Sequence, residues 1–419
     1  MSSVLRAACL LGALVLGVVS ADAAPRLKRG INFEVWQSWT NRDSFLAPGF
    51  DRDNFPDWMN RVDDGQLSGL KAAGFDFVRL NVDASVFLWA DEADTPALID
   101  KVVAATKRLQ ALGFAVIVDL HLLPAQEDRP DGLEDVLGTG GHEPRLQTRY
   151  LRLVTAVAGR LAALPADLTL LEPINEPNQD WDSHFSITDR WPAQLDALRA
   201  AARKAAPTLT LVLTGGRSGG VDGLERLDPV PFAGDPNIVW TFHYYEPMAV
   251  THAGQPWDDG PQRYLTHLPY PVSLIDDAVA GHLIAAARSD IAANVQDTAK
   301  RRQLEKGVAS ALADYRASGA GPASFAADFK RVSDWAADNA VPPERILLGE
   351  FGVFQDAADP AARRAVIEAT RKAAEAAGFA WAVYTAGLTQ AGQSFAVIGD
   401  NASLALDPAV AEALGLTSP

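Results

Sequence analysis

Two apolar runs that each end in a glutamate constrain this chain more than any other feature. The first, Leu168 to Asn178, reads LTLLEPINEPN; the second, Arg345 to Gly352, reads RILLGEFG. Leu168, Leu170, Leu171 and Ile174 follow the pattern of a buried strand, and Pro177 forbids continuation of the ladder. Each run therefore presents a carboxylate, Glu176 or Glu350, at the C-terminal tip of a strand, the end where parallel barrels place their chemistry.

Strand and helix patterns alternate around these runs. Strands are expected at 29–33, 77–81, 114–120, 168–176, 209–214, 238–244, 345–350 and 379–384. The run FAVIVDL at 114–120 is apolar almost throughout, as in a strand covered on both faces. Helical spacing falls at 66–73, stopped by Gly74, and at 97–112, where Leu98, Val102, Leu109 and Leu112 recur and Gly113 follows as a C-cap. Further helices are expected at 146–164, at 192–206 with proline in the first turn, around Phe325, Phe329, Val332 and Trp335, and at 361–377. Eight strands with helices between them predict an α/β fold, a (β/α)8 TIM barrel. A doubly wound open sheet would more typically carry a Gly-rich phosphate loop; Gly215 to Gly220 is glycine-rich but does not fit that pattern and reads as a strand-to-helix loop. Residues 246–322 interrupt the alternation between the sixth strand and its helix, irregular at first and helical from about Leu274 to Tyr315, and read as an insertion on the C-terminal face.

Residues 1–23 have the form of a secretory signal peptide: Arg6, an apolar stretch from Ala7 to Val19, then Ala21-Asp22-Ala23 as a small-x-small cleavage pattern. The apolar stretch is too short to span a bilayer comfortably. Residues 24–419 then form a single barrel domain, secreted or periplasmic, with 246–322 inserted in it. The one cysteine, Cys9, lies in the leader, so disulfides and thiolate chemistry are excluded from the mature chain. The net charge of −16 argues against nucleic acid and anionic membranes as partners and is compatible with a neutral polymer such as a polysaccharide.

A parallel barrel converges its strand tips on one rim, where Arg79, His121, Asn175 with Glu176, His243 with Tyr245, Glu350, and Trp381 with Tyr384 would meet. Two carboxyls on such a rim are what glycosidic bond cleavage requires. Taken singly, each residue has a plainer explanation. Asn175-Glu176-Pro177 can be a strand-ending turn, Gly349 to Gly352 a turn with a solvated glutamate, His121 and His243 satisfied core histidines, and Arg79 a partner of Asp83. Asp119, His121 and Glu176 could suggest metal ligands, but no HExxH or CxxC spacing supports them.

The ordered set Arg-Leu-Asn at 79, Asp-Leu-His at 119, Asn-Glu-Pro at 175, His-Tyr-Tyr at 243 and Gly-Glu-Phe-Gly at 349 resembles glycoside hydrolase family 5, the cellulase-like family of retaining barrel glycosidases, over essentially the whole mature chain. The resemblance implies Glu176 as acid/base and Glu350 as nucleophile. Such a mechanism needs one carboxyl protonated and the other ionised, with Arg79 beside Glu350 to favour its carboxylate, Tyr245 donating to the same group and His243 orienting Glu176. Asn175 and His121 would contact the sugar being cleaved. The family usually has tryptophan at the end of the eighth strand; here tyrosine stands there, so Tyr384, or Trp381 in another register, would form the floor under that sugar. Proline, common two places after the arginine, is replaced by Asn81. Trp36, Trp39, Trp89, Trp181 and Trp257 follow strands, and Trp36 and Trp257, in polar loop sequence, are expected to line the cleft.

The expected activity is retaining, internal cleavage of β-linked glucan by a monomer without metal or organic cofactor. The alternatives are hydrolysis or transglycosylation of another β-glycan (mannan, xylan, β-1,3-glucan or a bacterial exopolysaccharide), or a glycan-binding barrel without catalysis.

Overall fold

The structure, a computed structural model, describes residues 25–34, 40–56, 58–137, 144–178, 190–255, 259–387, 395–400 and 403–416. The leader at 1–23 and Trp36, Trp39, Trp181 and Trp257 lie outside them.

Eight parallel strands close in sequence order: β1 (Arg29–Glu34), β2 (Phe77–Asp83), β3 (Ala115–His121), β4 (Thr169–Glu172), β5 (Thr210–Thr214), β6 (Ile238–His243), β7 (Ile346–Glu350) and β8 (Ala380–Val383). β8 returns to β1 through the registers Arg29↔Trp381 and Ile31↔Val383. Helices join them on the outside, among them Asp64–Ala73, Thr95–Ala111, Pro144–Leu161, Arg190–Ala205, Pro322–Asp338 and Pro360–Ala377. The first two of these stop where the sequence predicts, because Gly74 (φ 119°) and Gly113 (φ 86°) take left-handed backbone that other residues resist.

Side chains alternate across each strand, and this alternation divides the core. Val116, Val118, Leu171, Ile346 and Leu348 face outward to the helices. Phe77, Ile117, Leu170, Val212, Val239, Leu347, Ala380 and Ala382 fill the barrel interior. One step up the same inward faces, the side chains turn polar: Arg79 and Asn81 on β2, Asp119 and His121 on β3, Glu172 on β4, Thr241 and His243 on β6, all buried. An apolar plug thus closes the N-terminal end and a buried polar ring sits above it. Phe77 reaches across its register partner Gly30, where an added Cβ would lie 2.2 Å from the ring.

β4 is shorter than its apolar run suggests. It ends at Glu172, Pro173 interrupts the ladder, and Glu176 lies on the extended segment beyond, held by the Asn175 N–H donating to the Leu120 carbonyl at 3.3 Å. The 246–322 region does contain two long helices, Asp277–Asn294 and Thr298–Ala317, capped by Asp276 and Asp297. Past β8 the chain adds a two-stranded hairpin, Ile398–Asp400 with Ala405–Leu406, and a last helix, Pro408–Ala413, none of which the sequence reading anticipates.

Gly30→Ala should lower the unfolding free energy by about 1–3 kcal/mol, the usual cost of overpacking a filled core, measured by urea denaturation. Adding Phe77→Leu should recover part of that loss, since the two positions are in contact.

Candidate active site

Arg79 stands at the centre of the polar ring, with no exposed surface. Its Nε and Nη2 donate to the two oxygens of Glu172 at 2.7 and 2.8 Å. Nη2 also reaches Asn175 Oδ1 at 2.9 Å and Asp119 Oδ2 at 3.0 Å. Nη1 donates to Asn32 Oδ1 at 2.9 Å and to Glu350 Oε1 at 2.5 Å. Burial opposes the arginine charge, but Asp119, Glu172 and Glu350 outweigh it and hold the guanidinium protonated well above its ordinary range. Asp83, the plainer partner considered for Arg79, pairs instead with Arg129 at 2.7 Å.

Glu350 reaches this ring through an irregularity. By strand parity it would follow Leu348 outward, but the β6–β7 register shifts at Phe242/His243, so that His243 pairs with Glu350. A bulge of this kind re-aims a side chain. Gly349 makes it possible: a Cβ there would lie 2.5 Å from Thr241 Oγ1 and 3.1 Å from the His243 ring. Once inward, Glu350 accepts from the Tyr245 hydroxyl at 2.9 Å. Burial alone would raise its pKa; His243, Arg79, His121 and the Tyr245 hydrogen bond reverse that and hold it at about 2. Burial and the adjacent Glu350 push the Tyr245 hydroxyl up, so it remains a donor.

Glu176 is more open than Glu350, its side chain 34% exposed. His243 Nδ1 contacts Glu176 Oε1 at 2.7 Å and lies 3.6 Å from Glu350 Oε2. Burial disfavours the imidazolium, but Glu350 and then Glu176 raise the His243 pKa. The glycine-rich loop after β5 supports Glu176 from behind: the Ser218 N–H donates to the Pro177 carbonyl at 2.8 Å, and Gly219 packs beside the Glu176 backbone. On the other flank, Asn175 Nδ2 lies 3.2 Å from His121 Nε2, and His121 Nδ1 lies 2.7 Å from Asp119 Oδ2. Burial would lower the His121 pKa; Asp119 overrides this and raises it to about 8.

Arg79, His121, Asn175, Glu176, His243, Tyr245 and Glu350 therefore meet at one place. Tyr384 lines the same cavity, of about 910 Å³. Trp381 does not. It faces outward, fully buried between Phe75 and Phe351 with its indole N–H on Glu375, because β8 parity sends Ala380 and Ala382 inward. Trp89 also packs away from the cleft, against Phe45 and Arg129. Asn32 and Glu172 escape the sequence reading, although strand parity signals both: Asn32 shares a face with Gly30, and Glu172 with Leu170.

Glu176, His243 and Glu350 each place an oxygen or nitrogen within 4.8 Å of the others, the spacing of a metal site as well as of a proton-transfer site. A metal ion there would sit against the Arg79 guanidinium and displace the bonds that His243 and Tyr245 already make, so the charges favour protons. A closed (β/α)8 barrel with two rim carboxyls this close, one clamped as an anion, has the arrangement that glycosidic bond cleavage uses.

The family assignment is narrower. The family model described as Cellulase (glycosyl hydrolase family 5) matches residues 43–388, and the chain belongs to that family. Cellodextrinase A of Ruminococcus flavefaciens is 25% identical over 236 residues, 55% of this chain and 61% of that protein. Endoglucanase C of Acetivibrio thermocellus is 23% identical over 251 residues, 58% and 65%. The chain thus matches less than two thirds of the length of these relatives. In structure, cellulose synthase subunit Z of Clostridioides difficile superposes with a TM-score of 0.61 at 22% identity, covering 93% of this chain and 99% of that one.

The raised His121 pKa fixes the sign of a pH effect. Its pairing with Asp119 contributes stability that is full below about pH 6.5 and is lost as pH rises through about 8. Asp119→Asn should bring the His121 titration below 8 by imidazole NMR. It should also flatten the fall in melting temperature between pH 6.5 and 8 relative to wild type; an unmoved titration would show that Asp119 does not set the charge of His121.

Proposed function

We propose that the chain cleaves β-linked glucan internally with retention of configuration, through a covalent glycosyl-enzyme. Glu350 attacks the anomeric carbon while Glu176 protonates the departing glycosidic oxygen; Glu176 then takes a proton from water as the water opens the ester at Glu350. The observation that carries this reading is the pairing of the two carboxyls. One oxygen of each lies within 4.8 Å of the other, which agrees better with the separation of about 5–5.5 Å in retaining sites than with the roughly 6.5–9.5 Å of inverting ones. Glu350, held at about 2 by its neighbours, is an anion at any working pH, as a nucleophile must be.

The remaining residues take roles from where they point. Arg79 and Tyr245 hold the attacking carboxylate in one orientation. His243 orients Glu176. Asn175, fixed by Arg79, is positioned to bind the hydroxyl beside the anomeric carbon, a contact that strengthens in the transition state, and His121 and Tyr384 complete the sugar's surroundings. β-Glucan is favoured among β-glycans by the names of the relatives, a cellodextrinase and an endoglucanase. The leader-like residues 1–23 support export, and no helix among the described residues is long and apolar enough to cross a membrane.

The test is oligosaccharide release from β-1,4-glucan, β-1,3-glucan, mannan and xylan. Wild type should release product with retained anomeric configuration by NMR, and Glu350→Ala should release none. Glu176→Ala should lose about 10²–10⁴-fold in kcat on glucan but far less in bond cleavage on an aryl glycoside whose leaving group needs no proton. Equal activity of wild type and Glu350→Ala would refute the mechanism; inverted product would refute retention.

A further inference from the structure

The rim cavity does not end at the two glutamates. It continues past Glu176 to the loop after β5 and the helix Pro322–Asp338, where Arg217, Asp222, Asp328 and Arg331 line it. None of these residues has a part in the chemistry above.

They form a connected wall. Arg331 Nη2 donates to Asp222 at 2.5 Å and to Glu225, and Nη1 lies 3.5 Å from Asp328 Oδ1. The other Asp328 oxygen accepts from the Tyr244 hydroxyl at 2.8 Å. Tyr244 follows His243 directly, and its N–H donates to the Glu350 carbonyl at 3.0 Å. At the opposite end, Asp222 lies on the short helix Val221–Glu225, which directly follows the loop whose Ser218 holds Pro177, next to Glu176. Both ends of the wall are thus anchored to the two segments that carry the carboxyls. Asp222, Asp328 and Arg331 line the same cavity as the Glu176 carboxyl, and the acid must face the departing group, so the wall lies on the leaving-group side.

Its chemistry specifies a ligand. The side chains of Asp222, Arg331 and Asp328 are 56%, 38% and 27% exposed, open to the cavity yet fixed by one another. Carboxylate acceptors and guanidinium donors side by side match vicinal hydroxyls, which donate and accept at once. Three carboxylates (Asp222, Glu225, Asp328) against two arginines (Arg217, Arg331) leave the wall with one net negative charge, which disfavours an acidic sugar. We propose that Arg331, with Asp222 and Asp328, forms a binding subsite for a neutral, unsubstituted sugar unit on the leaving-group side, beyond the unit that Glu176 protonates. The proposal rests on the reading of Glu176 as the acid.

Two measurements on Arg331→Ala and Arg331→Lys test it, with thermal unfolding to establish that each variant is folded. In the first, kcat/KM is compared on cello-oligosaccharides of three to six units and on 4-nitrophenyl β-cellobioside, whose leaving group is too short to reach the wall. Arg331→Ala should lose roughly 10- to 100-fold on the longer oligosaccharides, the scale of a lost charged hydrogen bond, with Arg331→Lys intermediate and the aryl substrate unchanged. Equal loss on both substrates, or on neither, overturns the subsite. In the second, calorimetry measures cellohexaose binding in a Glu350→Gln background with and without Arg331→Ala. Weaker binding in the double variant supports the subsite even if wild type cleaves nothing, an outcome that would sink the hydrolase reading alone; unchanged binding, or none in either protein, overturns the subsite. Carboxymethylated cello-oligosaccharides should bind more weakly than plain ones, and a preference for them would contradict the charge assignment.

Discussion

Arg79 carries a full charge at a point in the barrel that no solvent reaches. Removing an ion from water costs several kcal/mol even after relaxation, so everything near Arg79 must compensate it. Glu172 meets the guanidinium in a two-pronged pair, Asp119 and Glu350 add charge, and Asn32 and Asn175 take hydrogen bonds. The arrangement orders the site as well as stabilising it. Asn175 and Glu350 each bond to a different nitrogen of one rigid planar group, so the group proposed to bind the sugar and the group proposed to attack it are held by the same plate. A lysine would supply the charge but not the fork.

Two local departures from regular structure bring the rim carboxyls into place. Pro173 ends β4 early and lets Asn175 and Glu176 lie over the rim. The shifted β6–β7 register turns Glu350 inward, and Gly349 leaves space for the His243 ring that then stands between both carboxyls. Each is a break in a strand at the barrel's C-terminal end, where ladder bonds are lost and side chains gain freedom of direction. The regular lower half of the barrel, packed around Phe77, Ile117 and Leu347, holds these breaks in place.

Much of this was legible beforehand. Periodicity located all eight strands, and the strand tips pointed to most of the residues that meet at the rim, because a parallel barrel converts strand position into spatial proximity. Strand parity was the signal left unused. It marks Glu172 and Asn32 as inward-facing and sends Trp381 to the helices, leaving Tyr384 as the aromatic of the eighth strand's end that lines the cavity. No parity rule could have found Glu350's direction, which depends on a register shift between two strands more than a hundred residues apart in sequence. The wall of Arg331 and Asp222 was equally hidden, since a helix after the insertion and the short helix Val221–Glu225 after β5 meet only in the folded chain.

The partners around Arg79 also divide by their distance along the chain. Asp119 and Glu172 come from the two strands that follow β2, whereas Glu350 lies 271 residues away along the chain. Contacts distant in sequence close longer loops and lose more chain entropy in forming. Asp119 and Glu172 can meet the guanidinium across much shorter stretches of chain than its bond to Glu350 requires, so most of the compensation for the buried charge is local to one side of the barrel.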